Sequence, residues 1–224
     1  MPEPLRSAVF VHGAGAGGWE WGAWARVFAA AGVSATAPDL RAHPDGLAKT
    51  SLADYAAQVA EWLDAAPRPR LLVGASLGGL LAAMNGGRAD ALVLVNPMPP
   101  DGLPQAAARP AVVPWGSGAS LAGSRRALPD ADDAAAIFAF RRWRDESGAV
   151  LNQARAGVSV DKPGVPVLVI ASDDDKDVPA AASLALAQAW GATTWQVPGS
   201  HAGPLLGRDA ARLASRALDW ASRG

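Results

Sequence analysis

The sequence contains no cysteine. Disulfides, thiolate metal sites and cysteine nucleophiles are excluded together. Histidine occurs only at His12, His43 and His201. Three scattered histidines without cysteine do not make a standard zinc site, so neither metal nor cofactor is expected. There is no excess of positive charge: 20 basic against 21 acidic residues leave a formal net charge of −1. Nothing therefore points to nucleic acid or anionic lipid as a partner. No apolar run approaches the ~20 residues of a membrane helix. The start, Met1-Pro2-Glu3-Pro4-Leu5-Arg6, lacks the charged and apolar regions of a signal peptide, so a cytoplasmic location is expected. Oligomeric state is left open between monomer and homodimer.

What is present is a chain of 224 residues, half of them hydrophobic and 18% charged. That composition supports one well-buried globular domain. Short apolar runs alternate with amphipathic segments. Strand candidates are 8–11, 33–37, 70–73, 91–95, 165–170 and 193–197. Most are continuously apolar, as strands buried on both faces of a parallel sheet are. Between them, Trp21, Trp24 and Phe28 fall at helical spacing and end at Gly32. Leu52, Tyr55, Val59 and Leu63 form a helical stripe, opened by a Ser51/Asp54 capping box. A final helix carries Leu213, Ala214, Ala217, Leu218 and Ala221 on one face. The expectation is an α/β fold with an open, mostly parallel sheet of about six strands. From 98 to 164 the rhythm breaks: a Pro-rich loop, a Gly/Ser-rich section over 116–124, and one helix around 132–144. This stretch reads as a lid inserted into a core made of 1–97 and 165–224.

Gly74-Ala75-Ser76-Leu77-Gly78 fits G-x-S-x-G. In that motif a serine sits on a strained turn between a strand and a helix, and small flanking residues let the chain fold back. A buried strand precedes it here and a helix follows. Upstream, His12-Gly13-Ala14-Gly15 leaves the first strand. Acyl transfer needs donors aimed at a developing oxyanion, and the N–H groups of Ala14 and Leu77 are the candidates. The competing reading of 13–18 is a phosphate loop of the G-x-G-x-x-G kind. The histidine at the strand exit, and Pro38 and Leu40-Arg41 around the only suitable acid, Asp39, weigh against it. For the base, His12 belongs to the oxyanion loop and His43 has no orienting partner. His201 lies in a loop after the last strand, at the sheet edge where reactive groups gather. Between Ser76 and His201, the loop after the fifth strand offers Asp173, Asp174, Asp175 and Asp177 as the orienting acid.

Taken together, these residues resemble the serine α/β-hydrolase superfamily over nearly the whole chain outside the insertion. Within it the chain is similar to small carboxylesterases of the group that includes plant methyl-ester esterases and hydroxynitrile lyases. The resemblance rests on His12-Gly13 with Trp21, Pro38-Asp39-Leu40-Arg41, the turn at Ser76, Asp175-Lys176-Asp177-Val178-Pro179 and His201, in that order. It implies Asp175 as the acid, because that group places it four residues before the proline. Two departures stand out. The antiparallel hairpin that usually precedes the first strand is missing, and Ala42 and Pro44 replace glycines of a D-L-R-G-H-G loop.

The expected activity is cleavage of a small carboxylic ester through an acyl-enzyme, with Ser76, His201 and Asp175 as catalytic triad. The resemblance also implies two alternatives: a C–C bond hydrolase or hydroxynitrile lyase with the same triad, or a non-catalytic small-molecule receptor. A lyase of that group needs a lysine near the site, and Lys176 is the nearest of Lys49, Lys162 and Lys176. Trp19, Trp115, Phe138 and Trp143 are candidates for the substrate pocket, as apolar lining. Arg125, Arg126, Arg141, Arg142 and Arg144 are candidates to meet a substrate carboxylate, although a solvated helix face explains them as well.

Overall fold

A computed structural model describes residues 3–104 and 107–223. Met1 and Pro2, the first two residues read for a signal peptide, lie outside the described residues. Six strands form one sheet: β1 (Ser7–Val11), β2 (Ser34–Thr36), β3 (Arg70–Ala75), β4 (Ala91–Val95), and two late strands. Before these come β5 (Val112–Val113) and β6 (Glu146–Ser147), which pair antiparallel with each other away from the sheet. The late strands are β7 (Val167–Ser172) and β8 (Thr193–Val197). The order is β2-β1-β3-β4-β7-β8, and every pairing in this sheet is parallel. Register is set by pairs such as Val11 with Gly74 and Ala75 with Val95. No antiparallel strand precedes β1 among the described residues, in line with the missing hairpin.

The apolar runs have their physical explanation in two cores, one on each face. Val9, Val11, Leu72, Leu92, Leu94 and Val169 point to one face, against helices α2 (Leu52–Ala65) and α3 (Leu77–Met84). Ala8, Phe10, Leu71, Val73, Val93 and Ile170 point to the other, against α1 (Gly22–Ala30) and the C-terminal helix. Alternate residues of the central strands β1, β3, β4 and β7 thus enter different cores, and neither face of these strands meets water, whereas the edge strands β2 and β8 keep exposed residues. Ser51 and Asp54 cap α2 reciprocally, side chain to backbone, at 3.2 and 2.8 Å. Phe10, Trp21, Trp24 and Phe28 form one aromatic cluster beneath α1, with ring centroids 5.3–6.4 Å apart.

Residues 96–166 differ from the expectation of one helix and no strand. They hold α4 (Leu121–Ala127), α5 (Asp133–Phe140) and α6 (Gly148–Ala156) besides the β5–β6 pair. The helix expected over 132–144 is α5, capped by the Asp132 side chain on the Ala135 N–H at 2.8 Å. Helix α6 packs Val150 and Ala154 into the α2–α3 core. Its sequence, GAVLNQARA, is mildly amphipathic and short, which hides it from a periodicity reading. The chain closes with α7 (Ala180–Trp190), α8 (Gly203–Leu206) and α9 (Ala210–Ala221). No helix among the described residues is long and apolar enough to cross a membrane.

Helix α3 reaches the sheet only because its contacts are glycines. A Cβ on Gly78 would stand 2.2 Å from the Val11 carbonyl oxygen, and one on Gly74 would stand 2.1 Å from that of Gly78. Gly87, by contrast, has nothing within 4 Å of its Cβ position. Gly78→Ala should therefore lose about 2 kcal/mol or more of stability through backbone displacement. Gly87→Ala should stay within about 0.5 kcal/mol of the parent. Denaturant midpoints at equal slope check both.

Candidate active site

Four loops at the carboxyl edge of the sheet converge on one cavity of about 550 Å³. Its wall includes Gly13, Ala14 and Gly15 after β1, Ser76 after β3, Asp177 after β7 and His201 after β8. This is the edge where an open parallel sheet assembles reactive groups.

Ser76 ends β3 and precedes α3, with φ 53° and ψ −120°. A positive φ at a residue with a Cβ stores about 1–3 kcal/mol of strain. The turn is held by the Ser76 N–H on the Val95 carbonyl at 3.1 Å, and by the Met98 and Gly79 N–H groups on the Ser76 carbonyl, both at 3.0 Å. Of the oxyanion candidates, Leu77 follows Ser76 in the chain and Ala14 lines the same cavity. Neither of their N–H groups donates a hydrogen bond among the described residues. Ala14 lines the cavity, while the Leu77 side chain is buried in the core and only its backbone belongs to the turn.

Of the four carboxylates after β7, Asp175 is the one brought to His201. Its Oδ2 accepts from His201 Nδ1 at 2.6 Å. Its Oδ1 accepts the N–H groups of Asp177 and Val178 at 2.8 and 2.9 Å. Asp173, Asp174 and Asp177 are exposed. Burial works to lower the His201 pKa, but the hydrogen bond and charge of Asp175, with Asp177 and Glu20 nearby, carry it above the ordinary value. Asp175, Asp177 and His201 also form a group whose ligand atoms lie within 4.8 Å of one another. Within it His201 Nδ1 is already bonded to Asp175, the geometry of an acid–base pair.

His12 is structural. Its Nδ1 donates to the Gly13 carbonyl at 2.8 Å, and its Nε2 accepts from the Leu40 N–H at 2.9 Å and Arg144 Nη2 at 3.0 Å. Complete burial, with the Arg144 charge, lowers its pKa to about 4. His43 is remote from the cavity, as are Ala42 and Pro44 of the altered loop.

Five residues shape the site; sequence reasoning missed four of them and named the fifth, Arg144, only as a candidate to meet a substrate carboxylate. Asn96 ends β4 and holds Ser172 and the His201 carbonyl through its amide, at 2.8–2.9 Å. Asp130 accepts the Ser200 N–H at 2.6 Å, next to His201. Buried Glu146 accepts the Gly15 N–H at 2.9 Å, Tyr55 Oη at 2.9 Å and the Ser147 N–H at 2.8 Å. Arg144 grips the loop after β1 through its N–H on the Gly15 carbonyl and its Nε on the Ala16 carbonyl, both at 2.7 Å. Glu20 accepts the Gly13 N–H at 2.7 Å, and burial, only partly offset by that bond, raises its pKa to about 7. Each acts across a sequence separation that carries no local pattern, except Glu20, whose signal is a lone acid between two tryptophans.

The pocket candidates divide. Trp115 and Trp143 line the cavity. Trp19 and Phe138 are not on its wall: Trp19 stacks edge-on against Trp143 at 5.2 Å and Phe138 at 5.9 Å, so the two support the wall from behind. Of the arginine candidates Arg126 lines the cavity, and Arg109 and Arg155 of the insertion line it as well. Arg125 pairs with Asp133, Arg142 lies over the Phe138 ring and Arg144 is turned inward. Lys176 is exposed and off the cavity wall.

A family model described as the alpha/beta hydrolase family matches residues 8–216. No curated protein matches the sequence. Among solved structures, the chain is similar to a pyrethroid hydrolase from Sphingobium faniae, with TM-score 0.73 at 20% identity over 97% of each chain. It is similar to tomato methylketone synthase I complexed with 2-tridecanone, with TM-score 0.77 at 16% identity over 98% of each chain. A methylesterase from Arabidopsis superposes with TM-score 0.72 at 16% identity, over 96% of this chain and all of that one. At these identities the structures share the fold.

The His12 contacts determine its tautomer, because an Nε2 that accepts two hydrogen bonds carries no proton. Nitrogen chemical shifts should show neutral, Nδ1-protonated His12 at pH 6, with protonation only as pH falls towards about 4. A midpoint at the ordinary histidine value would contradict the assignment.

Proposed function

The chain belongs to the alpha/beta hydrolase family, and we propose that it cleaves a small carboxylic ester through an acyl-enzyme intermediate. The observation that carries this reading is the 2.6 Å His201–Asp175 hydrogen bond, in the same cavity wall as Ser76 on its strained turn.

His201, with Nδ1–H fixed by Asp175, presents a basic Nε2. It takes the Ser76 hydroxyl proton as Oγ attacks the ester carbonyl carbon. The tetrahedral oxyanion is met by the free N–H groups of Ala14 and Leu77, each worth roughly 3 kcal/mol in comparable sites. The imidazolium then protonates the departing alcohol oxygen, leaving an acyl-Ser76 ester. Water, deprotonated by His201, attacks that ester, and the released acid regenerates Ser76. Asp175 keeps its negative charge throughout and stabilises the imidazolium. The presence of a pyrethroid hydrolase, a methylesterase and a thioesterase domain among similar structures accords with acyl chemistry. The lyase alternative loses support, because Lys176, its one candidate lysine, is not on the cavity wall. Retention of a full acid–base pair favours catalysis over a receptor role.

Ser76→Ala should lower kcat on p-nitrophenyl esters by at least about 10³-fold while the thermal transition persists. A fluorophosphonate should label the parent at Ser76 and leave the variant unlabelled. Unchanged turnover or unchanged labelling in the variant would sink the assignment. The acid limb of kcat/KM reports His201 in the free enzyme. His201 must be neutral to act as base, and its pKa is raised. Activity should therefore fall as pH drops through a midpoint above the ordinary histidine value of 6.5. Rate profiles from pH 5 to 9 check the sign.

A further inference from the structure

Glu20 has no part in the reaction above, yet its carboxyl sits in the same cavity wall. The residue is only 7% exposed. Its Oε1 and Ser76 Cβ lie 3.7 and 3.5 Å from the point where a Cβ on Gly13 would stand, so the carboxyl and the nucleophile both border Gly13. Oε1 accepts the Gly13 N–H at 2.7 Å. Oε2 makes no hydrogen bond among the described residues, and it is not among the polar atoms sealed from solvent.

No described cation neutralises this carboxyl at contact distance. Two cationic groups act on it from a distance, His201 and then Arg144. Arg144 binds the Ala16 and Leu40 carbonyls and His12, and pairs with Asp39. His201 is bonded to Asp175. A buried carboxyl with a single neutral donor keeps most of its acceptor capacity unmet, and such a group in a native structure calls for an explanation. Holding the Gly13 N–H is not enough. A neutral amide or hydroxyl oxygen at this position would do that without burying an ionisable group. What the carboxyl adds is a second strong acceptor, open to the cavity beside the reacting serine. The acyl part of an ester stays bonded to Ser76 through both half-reactions. A donor on that part is the substrate feature that this acceptor can meet.

We propose that Glu20 is a substrate-binding residue, accepting a hydrogen bond from a hydroxyl or ammonium group on the acyl carbon next to the scissile carbonyl. The preferred substrates are then esters of 2-hydroxy or 2-amino acids. This rests on the reading of Ser76 as acyl acceptor. Burying an unmet acceptor against a substrate that lacks the donor is the kind of penalty that makes polar recognition selective.

The test compares ethyl propanoate, ethyl lactate and ethyl alaninate by pH-stat at one pH, with the parent and Glu20→Gln. The glutamine keeps an acceptor for the Gly13 N–H. The quantity read is kcat/KM for the substituted ester over that for the propanoate. Dividing the parent's ratio by the variant's cancels the intrinsic reactivity of each ester. Glu20→Gln should lower the preference by about tenfold or more. A fall for lactate alone assigns the hydroxyl, a fall for alaninate alone assigns the ammonium, and a fall for both assigns the donor they share. A ratio within about threefold of the parent's for both esters overturns the proposal. If the variant fails to fold, the parent decides alone. With each rate divided by that ester's hydroxide-catalysed rate, a parental preference below about threefold for both also overturns it. Fluorophosphonate labelling separates the two readings. Labelled Ser76 with no preference removes only the role of Glu20, whereas no labelling and no hydrolysis removes both.

Discussion

Everything at the carboxyl edge of the sheet depends on how closely α3 can approach β1 and β3. Gly74 and Gly78 leave backbone against backbone, where any Cβ would fall within 2.2 Å of a carbonyl oxygen. That approach forces the chain to reverse at one residue, and Ser76 takes the positive φ that results. The strain is tolerated because hydrogen bonds from Met98 and Gly79 and to Val95 hold the turn on both sides. The same reversal frees the first N–H of α3, at Leu77, from any helical partner. A strained serine and an unpaired donor beside it are therefore two consequences of one packing constraint.

The segment between β4 and β7 is bound into this arrangement by carboxylates. Glu146 reaches Gly15 across 131 residues of sequence, and Asp130 reaches Ser200 across 70. One therefore holds the loop with the Ala14 donor, and the other the loop with His201. Arg144 reinforces the first by bonding Gly15, Ala16 and His12 together. Buried hydrogen bonds to charged groups are each worth about 1.5–3 kcal/mol. The segment that covers the cavity thus also sets the geometry of the loops beneath it. Substitutions at its inner surface should be read as changes to the site and not only to the covering.

Parts of the structure governed by short-range rules were legible in the sequence. The six strands, the capping box at Ser51 and the turn at Ser76 each leave a local pattern: an apolar run, a paired S-x-x-D, a glycine-flanked serine. Chain order and the sheet edge were enough to point to His201. The four adjacent aspartates left the acid open on spacing alone, because burial, which distinguishes Asp175 from its exposed neighbours, is a property of the packed loop. Asn96, Asp130 and Glu146 left no trace, and Arg144 was read only as a substrate contact, because the partners that give them their roles in the site are 70 or more residues away. Trp19 and Phe138 show the converse error. Their aromaticity suggested lining, but in the folded chain both lie off the wall, Trp19 against Trp143 and Phe138 against Trp19. Helix α6 escaped notice because its apolar stripe, Val150, Leu151 and Ala154, is too brief to show a period.

Two carboxyl groups near Ser76 differ in how the protein solvates them, and that difference assigns their roles. Asp175 receives three donors: two backbone N–H groups and His201. Its charge is fully met, so it can hold an imidazole in one tautomer and stabilise it once protonated. Glu20 receives one donor, and burial raises its pKa to about 7. It also contributes to the raised His201 pKa, so ionisation of either group favours charge on the other. Acids that one site solvates this differently commonly have different tasks in it. The well-solvated acid suits an unchanging electrostatic role. The poorly solvated one suits a role completed by something that enters the cavity, since only an incoming donor can supply what the fold withholds from it.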